Sequence, residues 1–307
     1  MSIISTSGTG AAFTPTEFAD YFFTHLTAQS VGLSSGFRQV RTASAQLAIP
    51  RLNADAASAW TAEAAEITVS DPSADEIIAI PRKLAALTYV SNEVVDDSNP
   101  DALDLLRESL ARSMALKLDL GFFEGSGVAP EIRGLKNTAS IQTVSMGTNG
   151  AVLTNLDPIA DALGLLREAD ATGSAIVMPP RTWKALTKLK ETSSGSNKPL
   201  LAESAGSPTE NVGGRSRGDS VGSIYGVPVW LTSQLNVTET QGTANNASSV
   251  YVYDAARVVA VLRTDATIEA DPSVKFSSDQ MAVRAKMRAD LVVPYPESVA
   301  RIVGIIS

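Results

Sequence analysis

Between Ser98 and Gly127 the residues spell out one long helix, and a rod of that length dictates what can be packed around it. Asn99 can cap its start, Pro100 suits a first turn, and Asp101 and Asp104 put negative charge where the helix dipole favours it. Leu103, Leu106, Leu110, Met114 and Leu118 recur at three- and four-residue spacing, with Arg107, Arg112 and Lys117 largely off that line. Gly121, Gly125 and Gly127 are expected to end it. Roughly 22 helical residues at about 1.5 Å each span more than about 30 Å, the diameter of a small domain, so other elements must lie across this helix.

A chain of 307 residues that is 44% hydrophobic can bury a large core and has room for two domains. It has no cysteine, which removes disulfides and thiolate metal sites from consideration. Nothing reads as a signal peptide, and no apolar run approaches the roughly 18 residues of a membrane span, so the product is expected to stay in the cell that makes it. A net charge of −8 argues against a protein whose task is gripping nucleic acid, which needs a basic surface.

The first ten residues are rich in Ser, Gly and Thr, the composition of an arm that orders only against something else. Phe18, Tyr21, Phe22, Phe23 and Leu26 then crowd together, as a helix packed on its own domain or as a segment docked on a neighbouring subunit. Residues 38–50 contain a strand ending at Leu47, Ala48 and Ile49. From Leu52 to Ile80 no lysine or arginine occurs, while Asp55, Glu63, Glu66, Asp71, Asp75 and Glu76 give that stretch six acids, with Trp60 its one aromatic. Turn chemistry at Asp71, Pro72 and Ser73 makes it a long protruding hairpin, too acidic and too short of large apolar residues to hold itself together in water. It calls for a surface of opposite charge.

Pro81–Val90 reads as a strand, with Leu84, Ala86, Thr88 and Val90 on one face. Beyond the long helix a second α/β unit follows. Its expected parts are a helix from Asp157 through Leu166 ending near Gly173, a buried strand Ala175–Met178, and a helix after Pro179 and Pro180 carrying Trp183, Leu186 and Leu189. Residues 192–220 read as a long polar loop, Ile224–Leu231 as a hairpin around Gly226, and 236–249 as a second polar loop holding two Asn-x-Ser/Thr sequons of little weight. Val250–Arg263 is read as the return to the first unit. The clearest strand comes last: Met281, Val283, Ala285, Met287, Ala289 and Leu291 line one face, and Arg284, Lys286, Arg288 and Asp290 the other.

Catalytic patterns are scarce. Gly125-Ser126-Gly127 lacks the lysine and spacing of a phosphate loop, and Gly213-Gly214-Arg215 follows no expected strand. There is no HExxH or GxSxG, and His25, the single histidine, sits in the aromatic lead without a triad context. Pairs such as Asp96 with Asp97 or Glu63 with Glu66 could do acid–base work or hold a divalent ion, but more often such acids are helix-start or loop charges.

The order of these parts resembles a known family. The residues that carry the resemblance are Trp60-Thr61-Ala62-Glu63, Pro81-Arg82-Lys83-Leu84-Ala85-Ala86, Val90-Ser91-Asn92-Glu93-Val94-Val95-Asp96-Asp97-Ser98 and Asp119-Leu120-Gly121-Phe122-Phe123-Glu124-Gly125. Val177-Met178-Pro179, Tyr225-Gly226-Val227-Pro228-Val229 and the strand Ala282–Asp290 complete it. From about residue 40 onward the chain is similar to the major capsid proteins of tailed bacteriophages with the HK97 fold. That resemblance implies an α+β chain with an N-terminal arm (1–37), a P-domain strand segment (38–51), an E-loop (52–80), and a P-domain portion (81–137) with its spine helix (99–123). An α/β A-domain (138–248) and P-domain strands with a C-terminal return to the A-domain (249–307) follow.

The implied function is self-assembly into an icosahedral shell around double-stranded DNA, with no catalysis and no cofactor or metal. The implied partners are further copies in pentamers and hexamers, a portal, a separate scaffolding protein, and a possible cement protein. DNA would be contained without sequence-specific binding, no membrane would be involved, and the virion shell would be put together in the host cytoplasm. An encapsulin-like nanocompartment shell keeps the fold with a different cargo, and a soluble α/β carboxylate enzyme is the alternative from another class. As sites, Trp60, Glu63 and Glu66 are expected to dock on a neighbour's Arg107, Arg112 and Lys117 or its Arg284, Lys286 and Arg288, with Phe18, Tyr21 and Phe22 as arm contacts. The family's namesake is welded by isopeptide bonds from an E-loop lysine; the absence of lysine between Leu52 and Ile80 implies no such weld here.

Overall fold

The computed structural model describes residues 29–64, 66, 69–91, 93, 101–190, 200–201, 220–263 and 267–306. Phe18, Tyr21 and Phe22 of the arm, the cap Asn99 with Pro100, and most of the loop expected at 192–220 lie outside the described residues.

Two short elements open the described chain, the single turn α1 (Val31–Ser34) and the strand β1 (Arg38–Thr42). A two-stranded antiparallel hairpin follows, β2 (Leu47–Ala54) with β3 (Ser73–Ala79), so the strand expected to end near Ile49 is the first leg of the finger. Next come β4 (Arg82–Ser91) and the long helix α2 (Asp101–Glu124). The apolar line on α2 is confirmed at Leu110, Met114 and Leu118, all buried. The last two turns depart from a one-sided stripe, because Asp119, Gly121, Phe122 and Phe123 are buried as well. Gly121 lies inside the helix, where an added Cβ would sit 3.0 Å from Ile132 Cδ1. The helix ends at Gly125, whose missing Cβ lets the carbonyls of Gly121 and Ile132 approach closely.

One sheet is built on β14 (Gln280–Val292). On one edge it pairs antiparallel with β4 from Gln280 to Ala289. The other edge takes β13 (Thr267–Lys275) and then β12 (Val259–Arg263), to which β1 adds in parallel. The alternation of β14 holds: Val283, Ala285, Met287, Ala289 and Leu291 are buried, and Arg284 is exposed. A partner strand of one-sided apolar character is what a sheet covered on one face demands.

The second sheet has eight strands, with the order β5 (Gln142–Ser145), β15 (Val299–Ile306), β11 (Ala244–Tyr253), β7 (Ala175–Met178), β9 (Val227–Leu231), β8 (Gly222–Ile224). Further along, β6 (Ala151–Val152) joins β15 and β10 (Glu239–Gln241) joins β11. The polar loop expected at 236–249 is therefore corrected. Most of it is strand, and Ser248 and Ser249 are buried because Ser248 Oγ donates to the Ile305 carbonyl at 3.1 Å and Ser249 Oγ to Glu239. The boundary expected at 248/249 cuts β11, which stays in this sheet through Tyr253.

Helices α3 (Asp157–Glu168) and α4 (Pro180–Thr187) cover one face of the eight-stranded sheet, sharing a core with Ile176, Met178, Val250, Val252 and Ile302. The opposite face sends Val177, Tyr251 and Tyr253 into a second core with Phe122 and Phe123 of α2 and with Ala285, Met287 and Leu262 of the first sheet. Strand β7 is buried at every residue because it is covered on both sides. Phe37 knits the seam, its ring centroid 5.8 Å from Phe122, 6.0 Å from Phe123 and 5.1 Å from Tyr253.

Candidate assembly surfaces

The β2–β3 finger has a fixed root and a bare tip. At the root, Leu47, Ile49, Ile77 and Ala79 pack on Val259, Val261 and Val292, on the face of the first sheet opposite α2. Polar bonds reinforce this. The Ile80 N–H donates to Asp290 at 2.7 Å, the Leu52 N–H to the Tyr295 hydroxyl at 3.3 Å, and Arg51 Nη1 to the Pro294 carbonyl at 3.4 Å. Further out, among the described residues, the hairpin has only itself. Trp60 is completely exposed, Val69 is 86% exposed, and Leu52, Ile78 and Ile80 also face solvent.

Sequence reasoning treated all six acids of this stretch as uncompensated, and one is not. Asp75 forms an ion pair with Arg51 at 3.1 Å across the hairpin. Its carboxyl is held below the ordinary aspartate value by the Glu76 backbone N–H first and by Arg51 next. Arg51 lies one residue outside the stretch without basic residues, which is the signal that could have revealed it. Glu63 and Glu66 are exposed and form no ion pair among the described residues.

The expected landing cations fall on two different surfaces. Arg112 and Lys117 are exposed on α2, while Arg284, Lys286 and Arg288 lie on the face of the first sheet that points away from α2. Arg107 is on α2, with its side chain outside the described ones. The sheet-face group is engaged within its own chain: Glu269 of β13 bridges Arg284 and, at 2.8 Å, Lys286. These two cations, Lys286 first, pull the Glu269 carboxyl down to about 2. The register explains the bridge, since Glu269 stands directly opposite Arg284.

Two polar clusters escaped the sequence reading. Asp119, fully buried on α2, accepts from Ser30 Oγ at 2.6 Å and from the N–H groups of Val31 and Gly32 at 3.0 and 3.1 Å, fixing the start of the described chain to the helix. Near the end of α2, Lys136 Nζ meets Glu124 at 2.7 Å and Glu239 at 2.5 Å, and Arg301 Nη2 meets both Glu239 oxygens at 2.8 and 2.9 Å. This network ties α2 to β10 and β15.

Burial alone would raise Glu239, but Lys136, the Ser249 hydroxyl and Arg301 outweigh it and hold the carboxyl below the ordinary 4.5. A depressed folded pKa means that stability from this group is complete above about pH 4.5 and is lost as pH falls through the lower folded value. Replacing Glu239 with Gln is expected to cost about 2 kcal/mol at neutral pH, with the gap from wild type closing in acid. Denaturant melts at a series of pH values check this; a gap that widens on acidification has the wrong sign.

A long helix shared by two sheets, with a bare two-stranded finger rising from one of them, is the architecture of the HK97-type capsid subunit. Solved structures agree. The capsid of an empty GTA particle is 19% identical over 90% of each chain, with a TM-score of 0.70. That of a native GTA particle is 21% identical over 91% of each, at 0.67, and the structure from Mycobacterium phage Bobi is 16% identical over 91% of each, also at 0.67. The major capsid protein of Enterobacteria phage HK97 is 28% identical over 110 residues, which is 36% of this chain and spans 28% of that protein's length. The phage capsid family model matches residues 10–304, and the chain belongs to the phage capsid family.

Proposed function

We propose that this chain is the major capsid protein of a tailed bacteriophage, closing pentamers and hexamers into an icosahedral shell around double-stranded DNA. The observation that carries the reading is the finger: a two-stranded ribbon with a buried root, four acids in residues 55–72 that form no ion pair among the described residues, and a fully exposed Trp60. Such a ribbon is marginal in water on its own, and an exposed tryptophan beside like charges is an interface residue awaiting its other half. The other half is a neighbouring copy. Membership of a structural family supports a role without catalysis.

The other partners belong to the same proposal: a portal, a separate scaffolding protein and a cement protein where subunits meet. The shell would be assembled in the host bacterial cytoplasm and carried in the virion. With a net charge of −8 the wall contains DNA without gripping it, so interlocking between subunits must carry the load. Negative-stain microscopy of the purified protein tests the reading. Closed particles are expected, and a persistently monomeric protein overturns it.

No lysine lies between Leu52 and Ile80, so mature particles are expected to run as a single subunit band on a denaturing gel. A ladder of covalent multimers anchored in the finger would contradict this.

A further inference from the structure

At the finger's root, Arg51, Ile77, Ile78 and Ile80 face Arg82, Arg133 and the end of β14 across a cavity of ≈ 390 Å³. Three of the lining residues are arginines, against one carboxylate, Asp290. That carboxylate is already committed, accepting from the Ile80 N–H at 2.7 Å and the Leu291 N–H at 2.9 Å. Burial raises its pKa above the ordinary aspartate value, against the pull of those N–H groups and of Arg82 and Arg133. Arg51 spends Nη2 on Asp75 and Nη1 on the Pro294 carbonyl, yet among the described residues its Nε is buried without a hydrogen-bond partner, and so is Nη1 of Arg82. Arg82 Nη2 reaches the Gly127 carbonyl only at 3.5 Å. Guanidinium donors removed from water and given no acceptor are costly, and a carboxylate is the acceptor whose shape and charge fit them.

We infer that this arginine pocket receives the carboxylates of a neighbouring copy's finger tip, Glu63 and Glu66 foremost. The inference rests on the capsid reading and gives it an address. The pocket's own finger cannot fill it, because the hairpin's root is one of its walls and the strands running past Arg51 carry the tip away; none of residues 55–72 lines it. The sheet-face cations are poorer hosts, since Glu269 already bridges Arg284 and Lys286. Arg82 also lines an adjoining hollow with Lys83, Lys117 and one carboxylate, Glu131, so cations outnumber acids from the pocket on to α2.

The chain contains no cysteine, so introduced thiols are the only ones present. Particles carrying Glu66→Cys with Arg133→Cys, both exposed positions, are expected to give a ladder of covalent multimers with a short bis-maleimide. Glu66→Cys with Arg284→Cys is expected to stay a single band. Assembled particles that give no ladder from the first pair, or a ladder from the second alone, overturn the inference and leave the shell reading standing. Wild-type protein that forms no particles overturns the shell reading itself.

A charge arm runs alongside. Arg82→Glu with Arg133→Glu is expected to cut particle yield roughly tenfold, two partly exposed pairs being lost, and Glu63→Arg with Glu66→Arg in the same chain to restore it. Full yield from the arginine reversal overturns the inference. So do particles formed at full yield that lose packaged nucleic acid, which would assign the pocket to phosphate.

Discussion

Asp119→Ala is expected to lower the stability of the subunit by about 3–5 kcal/mol, because it strands several buried donors at once. The carboxylate is fully buried and serves three of them, Ser30 Oγ and the N–H groups of Val31 and Gly32. Alanine leaves all three facing apolar surroundings. The seat is too tight for repair by movement, since even a Cβ on Gly32 would lie 2.8 Å from the Phe122 ring. For a chain of this size the change corresponds to a fall in melting temperature of about 10 °C. Asp119→Asn keeps the shape and one acceptor, so it is expected to fall between the two. Thermal melts of unassembled subunits decide the matter, and an alanine variant that melts within the error of wild type would show that the start of the described chain is held by something else.

Trp60→Ala is expected to act on assembly and leave folding untouched. The side chain is completely exposed in the single subunit, so its removal takes no contact from the fold. If it fills a neighbour's surface, as the proposed docking requires, truncation costs the roughly 2 kcal/mol typical of an aromatic anchor, about thirtyfold in the affinity of each contact. Repeated around a closed shell, that loss should raise the protein concentration needed for particles sharply while the melting curve of free subunits stays in place. Light scattering against concentration reads the first quantity and circular dichroism the second. Normal assembly by this variant would remove Trp60 from the interface; a shifted melt would mean the finger packs on its own body.

Much of this architecture is written in periodicity. The lines Leu110–Met114–Leu118 and Val283–Ala285–Met287–Ala289 each bury one face because one face is all that a covered helix or sheet needs to bury. The finger was legible for a different reason, the long stretch without a basic residue. What escaped depends on register between distant strands. Nothing in the order of residues announces that Glu269 stands opposite Arg284, or that Arg51, Arg82 and Arg133 converge on one pocket.

Strand β11 escaped because its first half, Ala-Asn-Asn-Ala-Ser-Ser, has the composition of a loop. Its serines tolerate burial because Ile305, Thr182, Glu239 and Arg301 satisfy them from elsewhere in the chain. Asp119 escaped by the same logic, since nothing in its helix announces the donors at Ser30, Val31 and Gly32 that meet it.

The aromatic seam of Phe37, Phe122, Phe123 and Tyr253 joins the two sheets through one shared core, since the inner faces of both rest on the same helix. The packing at that seam resists rotation of one sheet against the other, as a tile resists folding. A container made of such tiles widens or flattens by tilting whole pieces about their margins, and the give in the wall resides in the joints.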